Sequence, residues 1–196
     1  MTSHWTWYPD IVWDVENGEE PEIGGLEEAC EELNAAMEGW GTDENTLTEV
    51  LGPKTAEERY IISKQYPEMF EKSLYDQIDD ETDGVYGRAM KLLSLDPVQC
   101  EARMVYNALK GWGAREKHLI PLLVARSNPD ITLLKRAYYE MYEEDLVTSL
   151  SDNLSDDFEK LIVMCAQGIE DNFDADVHTE DKVMEDADAF YEAGQG

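Results

Sequence analysis

Two short stretches hold residue types that could do chemistry. One is "MEGWGTDE", residues 37–44, a turn in which two glycines bracket a tryptophan; the other is "DQIDDETDG", residues 76–84, a run of carboxylates. A glycine-rich turn can aim several carbonyl oxygens one way, because no Cβ interferes. Calcium is a hard cation that takes six to eight oxygen ligands and accepts backbone carbonyls readily. Carbonyls do not neutralise the ion, so a carboxylate from elsewhere must close the shell. The bland readings are a plain tight turn and a solvated acidic loop. An EF-hand is excluded: Asp79, Glu81, Asp83 and Gly84 match its first, third, fifth and sixth positions, but the twelfth, where a bidentate Glu belongs, is Met90.

The turn returns as "LKGWGARE", residues 109–116, and its offset (111 − 39 = 72 residues between first glycines) holds for much of the chain without a gap. Leu33 meets Val105, Trp40 meets Trp112, Leu47 meets Leu119, Tyr66 meets Tyr138 and Tyr86 meets Phe158. A fixed period of this kind marks a repeat architecture. Each unit reads as four or five helices, and the fold class is all-α. Leu26, Cys30, Leu33 and Met37 recur at helical spacing with glutamates between them, an amphipathic helix that ends at the Gly39 turn. Thr42 is placed to cap the next helix, with Asp43 and Glu44 in its first turn. Asp96 and Pro97 open the second unit, and "GPKT" and "SNPD" mark later turns. Pro67 is expected to end or kink the third helix of the first unit, since it lacks an amide donor.

Charge narrows the partners. Fifteen basic residues face 45 acidic ones, a net charge of −30, and the first Lys or Arg is Lys54. Nucleic acid and bare anionic membrane would both be repelled. Solubility is one reading of the acidity and divalent cation binding another. Three cysteines without a CxxC pair argue for a reducing compartment, and Cys30 on an apolar stripe reads as core. No signal-peptide pattern or membrane-length apolar run is present, which points to a cytoplasmic protein. His4 and His178 have no zinc-like spacing. With no nucleophile–base pair, phosphate loop or metal triad, the chain is not expected to be an enzyme.

The glycine turn, the 72-residue period and the downstream "DETDG" together resemble an annexin repeat, and the resemblance runs from about Leu26 to the C-terminus. It implies five helices per repeat. It also implies a calcium site made by the carbonyls of Met37, Gly39 and Gly41 with the carboxylate of Glu81, 44 residues past Met37. A secondary site would use the Thr42 carbonyl and the Glu44 carboxylate. Three carbonyls and two carboxylate oxygens leave calcium under-coordinated, and a lipid phosphate fills the gap, so calcium and membrane assist each other's binding. Calcium would thus bridge surfaces that otherwise repel, with the protein peripheral at the membrane when calcium rises.

In the second repeat Ala114 and Arg115 replace Thr42 and Asp43, and Asn153 replaces Glu81, so calcium there is expected to be weak or absent. Lys110 and Arg115 are either direct contacts to anionic lipid or ordinary surface charge. Trp40 and Trp112 either sit at the headgroup level or fold back on the protein. The expected organisation is a Trp-rich acidic tail (1–24), repeat one (25–95), repeat two (96–168), then an acidic linker and the first helix of an incomplete third repeat (169–196). Trp5, Trp7 and Trp13 of the tail are read first as packing back on the repeats, and otherwise as anchors for a protein partner. Annexins normally have four repeats that pair, so unpaired repeat faces are expected to favour self-association. The rival readings are an acidic interaction protein with calcium incidental, and a non-functional fragment.

Overall fold

The computed structural model of the chain describes residues 6–19, 25–110, 114–169, 171 and 174–195. Among the described residues there are twelve α-helices and no strand. Helix α1 spans Asp10–Glu16. The first repeat follows as α2 (Glu27–Ala36), α3 (Glu44–Leu51), α4 (Ala56–Phe70), α5 (Leu74–Glu81) and α6 (Gly84–Leu93). The second is α7 (Pro97–Leu109), α8 (Glu116–Leu123), α9 (Asn128–Tyr142), α10 (Leu146–Asn153) and α11 (Asp156–Gln167), and α12 covers Glu180–Ala193. The third, fourth and fifth helices of the first repeat begin, residue for residue, 72 positions before their counterparts in the second. Each repeat therefore has five helices.

Caps set these boundaries. Thr55 and Glu58 form a capping box at the start of α4. Ser73, Asp96, Ser127 and Asp145 each accept an amide from the first turn of the helix that follows. "SNPD" is thus the start of α9 rather than a separate turn. The cap of α3 is Asp43, not Thr42: its carboxylate accepts the amides of Asn45 and Thr46, both at 3.1 Å. Thr42 is unavailable because its hydroxyl is committed to another helix, as described below. Pro67 does not end α4, which runs on to Phe70 and matches α9 in length, where the one proline, Pro129, stands in the first turn and Tyr139 takes the place of Pro67. An interior proline costs on the order of 3 kcal/mol. Here Tyr66 is fully buried and its ring meets Phe70 at 4.7 Å, which holds the last turn against the core.

Each repeat buries its own core. Cys30, Leu33, Met37, Leu47, Ile62, Tyr66, Leu74, Ile78 and Met90 fill the first. Their counterparts Ala102, Val105, Leu109, Leu119, Leu134, Tyr138, Leu146, Leu150 and Ile162 fill the second. The period is therefore a period of buried positions, which is why it survives changes of residue type. Burial raises the Cys30 thiol to about 11, as expected of an inert core cysteine. Tyr60 of α4 reaches into the second core, and Lys64 pairs with the largely buried Asp96 at 2.9 Å, joining the repeats.

The N-terminal segment packs back, and it packs on the second repeat. Tyr8, Ile11 and Val12 are buried in the second core, with Trp13 against it. The Tyr8 hydroxyl donates to Glu101 at 2.8 Å, Glu101 pairs with Arg126 at 2.7 Å, and the Arg126 guanidinium lies 4.7 Å from the Trp7 ring. Trp5 lies outside the described residues. Helix α12 buries none of its residues and exposes Val183, Met184, Phe190 and Tyr191.

Candidate calcium site

Helix α2 ends at Ala36, and the buried Met37 side chain anchors the start of the turn. The chain then reverses through Gly39 at φ +97° and Gly41 at φ +84°. At both positions an added Cβ would meet nothing within 4 Å. The glycines are there for backbone conformation, not for space. The turn closes where the Asp43 amide donates to the Ala36 carbonyl at 2.9 Å. Among the described residues, the carbonyls of Met37, Gly39 and Gly41 accept no hydrogen bond. Trp40, at the apex, is 108% exposed.

The acid arrives from the other end of the repeat. Glu81 is the last residue of α5 and is half-buried. The Thr42 hydroxyl lies 2.8 Å from the Glu81 carbonyl and 3.3 Å from the carboxylate oxygen Oε2. Thirty-nine residues of chain separate these two groups, and the fold brings them into contact. A second tie runs alongside: the Tyr86 hydroxyl, at the start of α6, donates to the Glu44 carbonyl at 2.7 Å. The backbone between α5 and α6 is itself tight. Thr82 bonds back to the Ile78 carbonyl at 2.7 Å, and a Cβ at Gly87 would stand 2.7 Å from the Thr82 hydroxyl.

Among the described residues no three His, Cys, Asp or Glu side chains cluster as a metal site. The donors gathered here are instead carbonyl oxygens and one carboxylate, a set suited to a hard cation. Glu44 sits in the first turn of α3 beside Thr42, with an exposed side chain. Asp43 is used as a cap, and the Thr46 amide and hydroxyl hold its carboxyl below the usual range.

The second repeat keeps the closing hydrogen bond and loses the ties. The Arg115 amide donates to the Ala108 carbonyl at 2.8 Å, repeating the closure made by Asp43 and Ala36. The counterparts of Thr42, Glu81 and Tyr86 are Ala114, Asn153 and Phe158, none of which carries the group used in the first repeat. Asn153 turns its amide onto the Ser149 carbonyl at 2.8 Å. Lys110 lies over the Tyr106 ring at 4.0 Å, and Arg115 is exposed. Residues 111–113, with Trp112, lie outside the described residues.

Tyr86 is the site residue that sequence reasoning missed. The 72-residue period pairs it with Phe158, and the one signal available is the hydroxyl by which the two differ.

Comparison with known proteins identifies the family. The family model described as Annexin matches residues 28–93 and 101–165, which are the two repeats. The chain belongs to the annexin family. It is 33% identical to mouse (Mus musculus) annexin A13 over 169 residues, covering 85% of this chain and 52% of that protein. It is 32% identical to mouse annexin A6 over 175 residues, covering 89% of this chain and 26% of that protein. Among solved structures, chicken annexin V superimposes with a TM-score of 0.72 at 27% identity, over 89% of this chain and 55% of that one. This annexin chain thus spans between a quarter and about half of the length of these relatives.

Proposed function

We propose that this annexin chain binds anionic phospholipid membranes in a calcium-dependent manner through its first repeat. The observation that carries the reading is the Thr42–Glu81 contact, which sets a carboxylate beside a turn with three unbonded carbonyls. Met37, Gly39 and Gly41 supply carbonyl oxygens and Glu81 two carboxylate oxygens. Calcium prefers six to eight ligands, so the shell stays open toward solvent. A lipid phosphate completes it and brings the remaining negative charge. The Thr42 carbonyl and the Glu44 carboxylate offer a weaker neighbouring site.

The exposed Trp40 supports this orientation. An indole standing free at the apex of the turn suits the headgroup layer, where its ring is favoured. The second repeat contributes no comparable calcium site, and Lys110 and Arg115 contact lipid by charge alone. Membrane attachment is peripheral and reversible, from the cytoplasmic side. Among the described residues no helix is long and apolar enough to cross a membrane.

Co-sedimentation with phosphatidylserine vesicles tests the reading. Wild type is expected to pellet with calcium and to stay in solution with chelator. Glu81→Gln is expected to lose calcium-dependent pelleting while remaining helical. A folded wild type that stays in solution at millimolar calcium would overturn the proposal.

A further inference from the structure

One cleft departs from the acidic character of the molecule. It measures about 740 Å³ and lies between α5 and α6 of the first repeat and α7 of the second. Arg88, Lys91, Arg103, Lys110 and Arg115 line it, a third of the chain's 15 basic residues. No Asp or Glu is among its lining residues, although the chain carries 45 of them. Two other clefts are lined by acid: Glu28, Glu32 and Glu49 in one, Glu16, Asp96 and Glu140 in another.

Most of these cations have no counter-charge. Lys91 pairs with Asp79, but Arg88, Arg103, Lys110 and Arg115 make no ion pair among the described residues. Arg103 is held as a fixed plane, its guanidinium 4.9 Å from the Tyr75 ring and 5.4 Å from the Tyr142 ring. Its buried Nε has no hydrogen-bond partner. A planar guanidinium with free donors is matched to phosphate oxygens, and tyrosine stacking keeps it oriented without neutralising it. Four unpaired cations around one cleft repel one another and are stabilised by a polyanion. The −30 net charge does not cancel this, because at physiological ionic strength charges beyond about 8 Å are largely screened. A cleft also focuses the local field.

We propose that this inter-repeat cleft is a calcium-independent site for a lipid headgroup bearing phosphomonoesters. The need for more than one phosphate follows from the number of unpaired cations. The lipid source follows from where the cleft residues sit in the chain. Lys110 and Arg115 flank the second repeat's counterpart of the glycine turn, and Val85, also in the lining and exposed, lies just after Glu81. The lipid assignment therefore rests on the membrane reading of those loops, whereas the phosphate chemistry stands without it.

The test is run in chelator, so that the calcium bridge is silent. Phosphatidylcholine vesicles doped with phosphatidylinositol bisphosphate are expected to pellet the wild type. Vesicles with the same charge density of phosphatidylserine, which carries no phosphomonoester, are expected to leave it in solution. Arg88→Gln with Arg103→Gln is expected to bind the bisphosphate vesicles roughly ten- to thirty-fold more weakly, given the usual worth of a basic side chain at an anionic surface. Should the double variant lose its helical melt, the exposed Arg88→Gln alone is expected to weaken binding several-fold. Glu81→Gln is expected to bind like wild type, which separates this site from the calcium site. Soluble inositol trisphosphate in a calorimeter forms the second arm. Binding there without vesicle binding would overturn the lipid assignment. No binding in either arm, or no loss in the Arg88 and Arg103 variants, would overturn the site.

Discussion

At the scale of single residues, the candidate calcium site depends on atoms that are easy to overlook. Gly39 and Gly41 earn their places by backbone sign alone, since open space surrounds both. Thr42 and Tyr86 each tie the α2–α3 turn to the α5–α6 end of the repeat through one hydroxyl. Tyr86→Phe keeps the ring and removes the tie. It is expected to cost about 0.5–1.5 kcal/mol in urea unfolding and to weaken calcium binding without abolishing it. A calcium titration followed by Trp fluorescence would show this; an unchanged midpoint would mean that Thr42 alone holds the turn. The glycines and the acidic run were legible in the sequence because backbone sign and charge are properties of residue type, and the resemblance to annexin repeats singled out Glu81 within that run. The Tyr86 hydroxyl was not, because its partner is a carbonyl 42 positions away, and any residue could have supplied that carbonyl.

At the scale of helices, hydrophobic spacing and turn residues located the elements, but two local rules were overruled by contacts between helices. Thr42 has good cap chemistry, yet its hydroxyl is drawn to Glu81, and Asp43 takes the cap. Pro67 is a helix breaker, yet the buried ring before it keeps α4 whole. The Asp43 cap has a pH signature. Its carboxyl is held below the ordinary range, chiefly by the Thr46 amide. A group whose folded value is depressed contributes stability that is full above its unfolded value and is lost as pH falls through the folded one. Asp43→Ala is therefore expected to lower the melting temperature at neutral pH and to match wild type more closely in strong acid. A gap between the two melting curves that stays constant down to low pH would argue against the cap.

At the scale of the molecule, the repeats are two cores joined by modest contacts, and the N-terminal segment belongs to the second. Ile11 is buried there. Ile11→Ala is expected to destabilise by roughly 2–5 kcal/mol, the range for a buried large-to-small change. Hydrogen exchange should localise the loss to α7–α11 and leave α2–α6 protected. Uniform loss across both repeats would mean that the cores unfold as one. The two-core plan was readable from the 72-residue period, because burial repeats with it. The basic cleft was not readable, since its residues come from α6, α7 and the ends flanking the second turn, and only packing of one repeat on the other gathers them.

The N-terminal strap also fixes an order of events during synthesis. Trp7 and Tyr8 bond to Asp130 and Glu101, residues 123 and 93 positions further on. The strap leaves the ribosome before its seat, which is made only after most of the second repeat has emerged. At about 5–20 residues per second that delay is roughly 5–20 seconds. Repeat one has its own core and can close within that interval. Tyr8, Ile11 and Val12 remain solvent-facing until α7 to α9 arrive. The nascent chain therefore carries an apolar segment ahead of repeat one, open to chaperones, and docks it only once the second repeat has formed its seat.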